Sequence, residues 1–148
     1  MKALLVIDLQ EGYVEKYDNR LLSYINKRIQ DAVINHEVII YIKNTKKLRS
    51  GDKTNRLAEQ LKDCSKYIIC KKSASAFSND DLLDILKQNQ VTDIEIVGID
   101  GNSCIACSAM DALRYGYRVV LPCTYIGVQN AERFEKSCFY QKSGIVIL

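Results

Sequence analysis

The chain has 148 residues, 47% of them hydrophobic, and a formal net charge of +3. That length suits a single domain, residues 1–148, with a sizeable core; no apolar run reaches the roughly 18 residues of a membrane helix, and so small a charge gives no reason to expect nucleic acid as a partner. MKALLVID lacks the pattern of an export signal, so the six cysteines are expected to be reduced thiols of a soluble, cytoplasmic protein.

The first element, Ala3 to Asp8, is a continuous apolar run of strand length that ends in a carboxylate, as expected for a parallel strand covered on both faces. Leu21, Leu22, Ile25, Ile29, Ala32 and Val33 then recur at helical spacing between Asn19 and His36, with Asp18 or Asn19 available as a cap. Val38 to Lys43 reads as a second buried strand. A basic loop and weak helix, residues 44–64, lead to a third strand, YIICK, closed by Lys71.

Beyond it, Leu82, Leu83, Ile85 and Leu86 form the stripe of a helix that Asn79 or Asp80 can cap. DIEIVG is a fourth strand, the small-residue stretch from Cys104 a helix, and YRVVLP a fifth strand ended by Pro122, the only proline. A helix over Gln129 to Phe139 and a terminal strand, GIVIL, complete the chain. Strands alternating with helices predict a three-layer α/β/α sandwich on one mainly parallel six-stranded sheet.

In such sheets ligands bind beyond the carboxyl ends of the strands. Asp8, Lys71 and Cys104 each lie at or just past such an end, so three complementary side chains are expected on one rim. Cys104 follows a glycine-containing turn into a helix start, where unpaired N–H groups and the helix dipole favour a thiolate. Cys104 and Cys107 also spell C-x-x-C, which leaves a thiol-redox protein as an alternative. Cys64, Cys70, Cys123 and Cys138 lack paired metal-ligand spacing and read as structural.

The pieces LLVIDLQEGY, ICKKSASAF and VGIDGNSCIACSAMDALRYGYRV occur in order over essentially the whole chain. In them the sequence resembles the isochorismatase-like cysteine hydrolases, the superfamily that includes nicotinamidases and several amide hydrolases. The resemblance implies a catalytic triad of Asp8, Lys71 and Cys104. Lys71 is preferred to Lys72 because the family's lysine stands six residues before the phenylalanine of the SAF-like motif, here Phe77, and because alternation lets only one neighbour face the site. It further implies a cis peptide at Ile99–Asp100, with the backbone N–H groups of Asp100 and Cys104 as the oxyanion hole.

Nicotinamidases of this superfamily hold a metal with an aspartate and histidines in the loop after the second strand. Here that loop has Asp52 and no histidine, and the sole histidine, His36, ends a predicted helix, so neither metal nor cofactor is expected. The cysteine favours amide-type cleavage over vinyl-ether hydrolysis. Lys43, Lys46, Lys47, Arg49, Lys53 and Arg56 give the same loop a basic character that would suit an anionic ligand or a solvated lid. Tyr13, Phe77 and Tyr125 are candidate pocket walls for a small-molecule substrate. Thr124 stands where the family commonly has an aspartate after the fifth strand. With abbreviated pocket loops, a homodimer or higher homo-oligomer is expected; a catalytically silent ligand-binding or protein-binding member is the other alternative.

Overall fold

The computed structural model describes residues 1–44, 56–135 and 144–148. Seven strands form its sheet: β1 (Lys2–Ile7), β2 (Val38–Asn44), β3 (Ile68–Lys71), β4 (Asp93–Ile99), β5 (Arg118–Leu121), β6 (Ile126–Gly127) and β7 (Val146–Ile147). Six of them run in the order β3-β2-β1-β4-β5-β7, every pair parallel, and β6 pairs with the end of β4 beside that path. The helices are α1 (Leu21–Ile34), α2 (Asp81–Gln88), α3 (Cys104–Arg114) and α4 (Ala131–Glu135). The predicted three-layer fold is therefore the observed one. The two-residue β6 is the addition, too short to leave a periodic signal.

The layers follow from the period of two along each strand. Leu4 and Val6 of β1 turn to one face, where Leu21, Ile25, Ile29 and Ala32 of α1 cover them. Ala3, Leu5 and Ile7 turn to the other, against Leu82 and Leu86 of α2 and Ile105, Ala109 and Ala112 of α3. Buried on both sides, β1 carries no polar residue between Ala3 and Ile7, and each of its large side chains contributes about 1.5–3 kcal/mol on burial.

Local chemistry sets the element ends. The Asp18 side chain accepts the Arg20 N–H at 2.9 Å just ahead of α1, and Asn79, rather than Asp80, accepts the Asp81 N–H at 3.0 Å ahead of α2. His36 closes α1 with a φ of +55°, exposed and bonded through its N–H to the Val33 carbonyl at 3.1 Å. The weak helix expected in residues 44–64 is absent from its described part, 56–64. There Leu57 bridges Gln10 and the Ala58 N–H reaches the Leu9 carbonyl at 2.8 Å, so the segment is strapped along the loop after β1 instead. Among the described residues no helix is long and apolar enough to cross a membrane. Most of the basic loop, including Lys46, Lys47, Arg49, Asp52 and Lys53, lies outside the described residues, as does Cys138.

Candidate active site

β1 and β4 lie side by side, Ile7 opposite Gly98, and this pairing sets the site. A Cβ on Gly98 would stand 2.1 Å from the Ile7 carbonyl oxygen, so only glycine permits the approach. One residue past each partner the chains turn. Asp8 leaves β1 with a φ of +57°, its N–H held by the Ile42 carbonyl at 2.9 Å, and Ile99–Asp100 is a cis peptide, where the resemblance implied one. Four residues later Cys104 begins α3, so its N–H belongs to the first turn and has no acceptor within the helix.

Lys71 ends β3 with its side chain wholly buried, whereas Lys72 is exposed. Its ammonium donates to Asp8 Oδ2 at 2.6 Å and to the Ala74 carbonyl at 3.1 Å. A buried charged pair of this kind has little room to exchange partners. The other carboxylate oxygen, Asp8 Oδ1, is buried with no conventional hydrogen-bond partner among the described residues. The half-buried Cys104 thiol interacts electrostatically with both groups. Burial pushes the Asp8 carboxyl above its ordinary range, against the opposing pull of Lys71 and Cys104. Burial, then the Asp8 charge, pushes the Cys104 thiol up, and Lys71 opposes both. Where the helix start alone suggested a thiolate, burial and Asp8 favour the neutral thiol.

Neighbouring residues brace the three. Gln10, fully buried, donates to the Asn44 carbonyl at 3.0 Å and accepts the Asn44 N–H at 2.6 Å, tying the Asp8 loop to the end of β2. Ser108 donates to the Cys104 carbonyl at 2.7 Å and accepts the Ala76 N–H at 2.9 Å, which joins the helix to the loop after Lys71. A cleft of about 600 Å³ opens between that loop and α3, with Ser73, Ala74, Asn102, Ala106 and Cys107 on its wall. Tyr13 and Tyr125 are half-buried against the α1 layer, and Phe77, only 5% exposed, packs into the core beneath the exposed Tyr115 ring at 5.3 Å; none of the three lines this cleft. Cys107 is exposed, and both it and Cys104 are free thiols. Gln10 and Ser108 were not legible as site residues, since each braces the site through hydrogen bonds that no sequence period announces.

Among the described residues no three His, Cys, Asp or Glu side chains come together to hold a metal, and His36 sits at the end of α1 that leads into β2, opposite the rim of Asp8 and Lys71.

Residues 2–132 match the isochorismatase domain family. An uncharacterized isochorismatase family protein, YaaI, of Bacillus subtilis is 29% identical over 140 residues, spanning 82% of this chain and 77% of its own. The streptothricin hydrolase of Streptomyces noursei is 24% identical over 132 residues, and the match spans 82% of this chain but only 52% of that protein. In structure, the chain superposes on the pyrazinamidase of Pyrococcus horikoshii in complex with zinc with a TM-score of 0.84, covering 99% of this chain and 98% of that one at 20% identity, a likeness of fold.

Proposed function

The chain belongs to the isochorismatase family, and from that premise we propose that it is a metal-independent cysteine hydrolase that cleaves a small amide-type C–N bond through a thioester on Cys104. The observation that carries the reading is the buried Lys71–Asp8 pair, one of whose carboxylate oxygens lacks a conventional hydrogen-bond partner among the described residues, next to a half-buried thiol at a helix start that interacts with both groups. A purely structural ion pair would use that oxygen in a further hydrogen bond. The streptothricin hydrolase and the pyrazinamidase among the similar proteins support hydrolysis as the reaction class.

In the proposed cycle Asp8 takes the thiol proton as sulfur forms its bond to the amide carbon, and the carbonyl electron pair moves onto oxygen. The N–H groups of Asp100 and Cys104 hold that oxyanion, a role in which one lost donor costs about 2.7–4 kcal/mol. As the C–N bond breaks, Asp8 returns the proton to the leaving nitrogen, releasing ammonia or an amine. Water, deprotonated by Asp8, then attacks the thioester and frees the acid and the thiol. Lys71 keeps the carboxylate oriented throughout. Tyr13 and Tyr125 remain proposed pocket walls, and a homodimer the proposed assembly.

The reading is tested by screening small amides for ammonia release, with Cys104→Ala as the blank. Turnover is expected to fall to the blank level in Cys104→Ala while its urea unfolding midpoint stays near that of the parent. An unchanged rate with any turned-over amide refutes the nucleophile, and no turnover across the screen favours a silent binding member.

A further inference from the structure

The turn that carries the nucleophile is gripped by a residue outside the triad. The Asp100 carboxylate accepts the Asn102 N–H on Oδ1 at 2.8 Å, and on Oδ2 both the Gln129 N–H at 2.9 Å and the Tyr17 hydroxyl at 3.1 Å. The Asp100 carbonyl accepts from Ser103 and Ile105, each at 3.1 Å, and the Gly101 N–H donates to the Gly127 carbonyl at 3.0 Å. One residue thereby joins three segments: the turn into α3, the end of β6, and the loop between β1 and α1.

Tyr17 reaches it because β6 makes way. A Cβ on Gly127 would stand 2.8 Å from Tyr17 Cδ1 and 2.7 Å from Ile99 Cγ2, so the phenol ring lies flush on a backbone that has no side chain there. Burial first, and then Asp100, Cys104 and Asp8 in turn, push the Tyr17 hydroxyl well above the ordinary phenol range. It is a fixed donor at neutral pH, close enough to the triad to feel its charges, with its proton committed to Asp100.

We infer that Tyr17 is a positioning residue for the oxyanion hole: its hydroxyl, by anchoring the Asp100 carboxylate, fixes the 99–104 turn so that the N–H groups of Asp100 and Cys104 converge on the developing oxyanion. This rests on the cysteine-hydrolase reading above. A hydrogen bond to a carboxylate in a half-buried setting is stronger than one between neutral groups, and the angles of the two N–H donors depend on the turn it holds. Without it the carboxylate keeps two donors, both from its own end of the sheet, and loses its tie to the α1 layer.

Two probes separate the hole from the thiol. Iodoacetamide needs only the thiol. Propionaldehyde labelled with carbon-13 at its carbonyl adds to the thiol as a thiohemiacetal: a C–S bond forms, the carbonyl pair moves to oxygen, and the thiol proton passes through Asp8 to that oxygen, which sits in the hole. Only this adduct uses the oxyanion hole. Tyr17→Phe is expected to weaken the adduct about tenfold by carbon-13 NMR titration, while Cys104 alkylation, followed by mass spectrometry, changes less than twofold. Asp100→Asn, which leaves the Tyr17 ring in place, should reproduce the loss and stand in should Tyr17→Phe fail to fold; the double variant should add little to either. Unchanged adduct affinity in both variants overturns the inference, as does an equal loss in the two probes, which would mark a general loosening. No adduct in the parent protein beyond the signal that the exposed thiols give in Cys104→Ala refutes the hydrolase reading itself.

Discussion

The proton on Cys104 is held by a contest among burial, a carboxylate and an ammonium, and the sign of each contribution is fixed by the geometry. Burial and Asp8 disfavour the thiolate, whereas Lys71 favours it, and the first two prevail over the ordinary value of 9.0. The alkylation midpoint of Cys104, followed peptide by peptide because Cys64, Cys70, Cys107 and Cys123 are exposed, should therefore lie above 9.0. Lys71→Met should raise it further, by removing the one favourable charge, and Asp8→Asn should lower it. A midpoint below 9.0 in the parent, or shifts of the opposite sign in the variants, would contradict this account of the site. At this scale the sequence told much. Lys71 was separable from Lys72 because strand alternation buries one neighbour and exposes the other. The helix start at Cys104 was legible too, but not the desolvation that raises its thiol, since burial depends on what the remaining strands bring alongside. Tyr17 lies in a loop with no period, and only the fold shows what its hydroxyl meets.

Strands and helices were legible to within a residue or two wherever apolar runs were long, as in β1, β2 and β4, because burial on both faces demands such runs. The failures came where backbone pairing, not side-chain pattern, makes the element. β6 has two residues, and the segment at 56–58 is held by main-chain bonds to residues 9–11. Gly98 shows how one position within an element can govern the site, because the turns that carry Asp8 and Cys104 both begin where β4 meets β1. Its φ is +122°, and an added methyl would collide with the Ile7 backbone, which cannot move without shifting Asp8. Gly98→Ala should thus cost about 3 kcal/mol or more, from backbone conformation and overpacking together. Gly116 separates the two causes: its φ is +88° and an added methyl meets nothing within 4 Å, so Gly116→Ala should cost about 1 kcal/mol. Urea unfolding of the two variants measures the difference, and equal costs would leave the close approach of β4 and β1 without energetic weight.

Across the whole molecule the sheet carries a buried cluster of charges at each end, and the two answer to pH with opposite sign. At the amino ends of the strands, Arg28 of α1 donates to both Glu95 oxygens at 2.7 and 3.2 Å and to Glu37 at 2.5 Å, and Lys2 pairs with Glu95 as well. DIEIVG read as an apolar strand, and Arg28 shares a stripe with Ile25 and Ile29, so neither partner announced a buried role. Burial alone would raise the Glu95 carboxyl, but Arg28 and Lys2 outweigh it and hold it below its ordinary value of 4.5. A depressed carboxylate contributes stability that is fully present above pH 4.5 and is lost as pH falls through the lowered value. Asp8 is raised, so its ionised form costs stability at neutral pH. Arg28→Met should therefore lower stability at pH 7 by about 3 kcal/mol, since it strands Glu95 in the interior with Lys2 alone. The deficit should shrink as the pH is lowered below 4.5, where protonation of Glu95 erodes the advantage of the parent. Urea unfolding at pH 7 and at pH 3 reads both arms. A deficit of the same size at the two values would mean that Arg28 acts through packing of its stem on the α1 layer, and not through the carboxylate it holds.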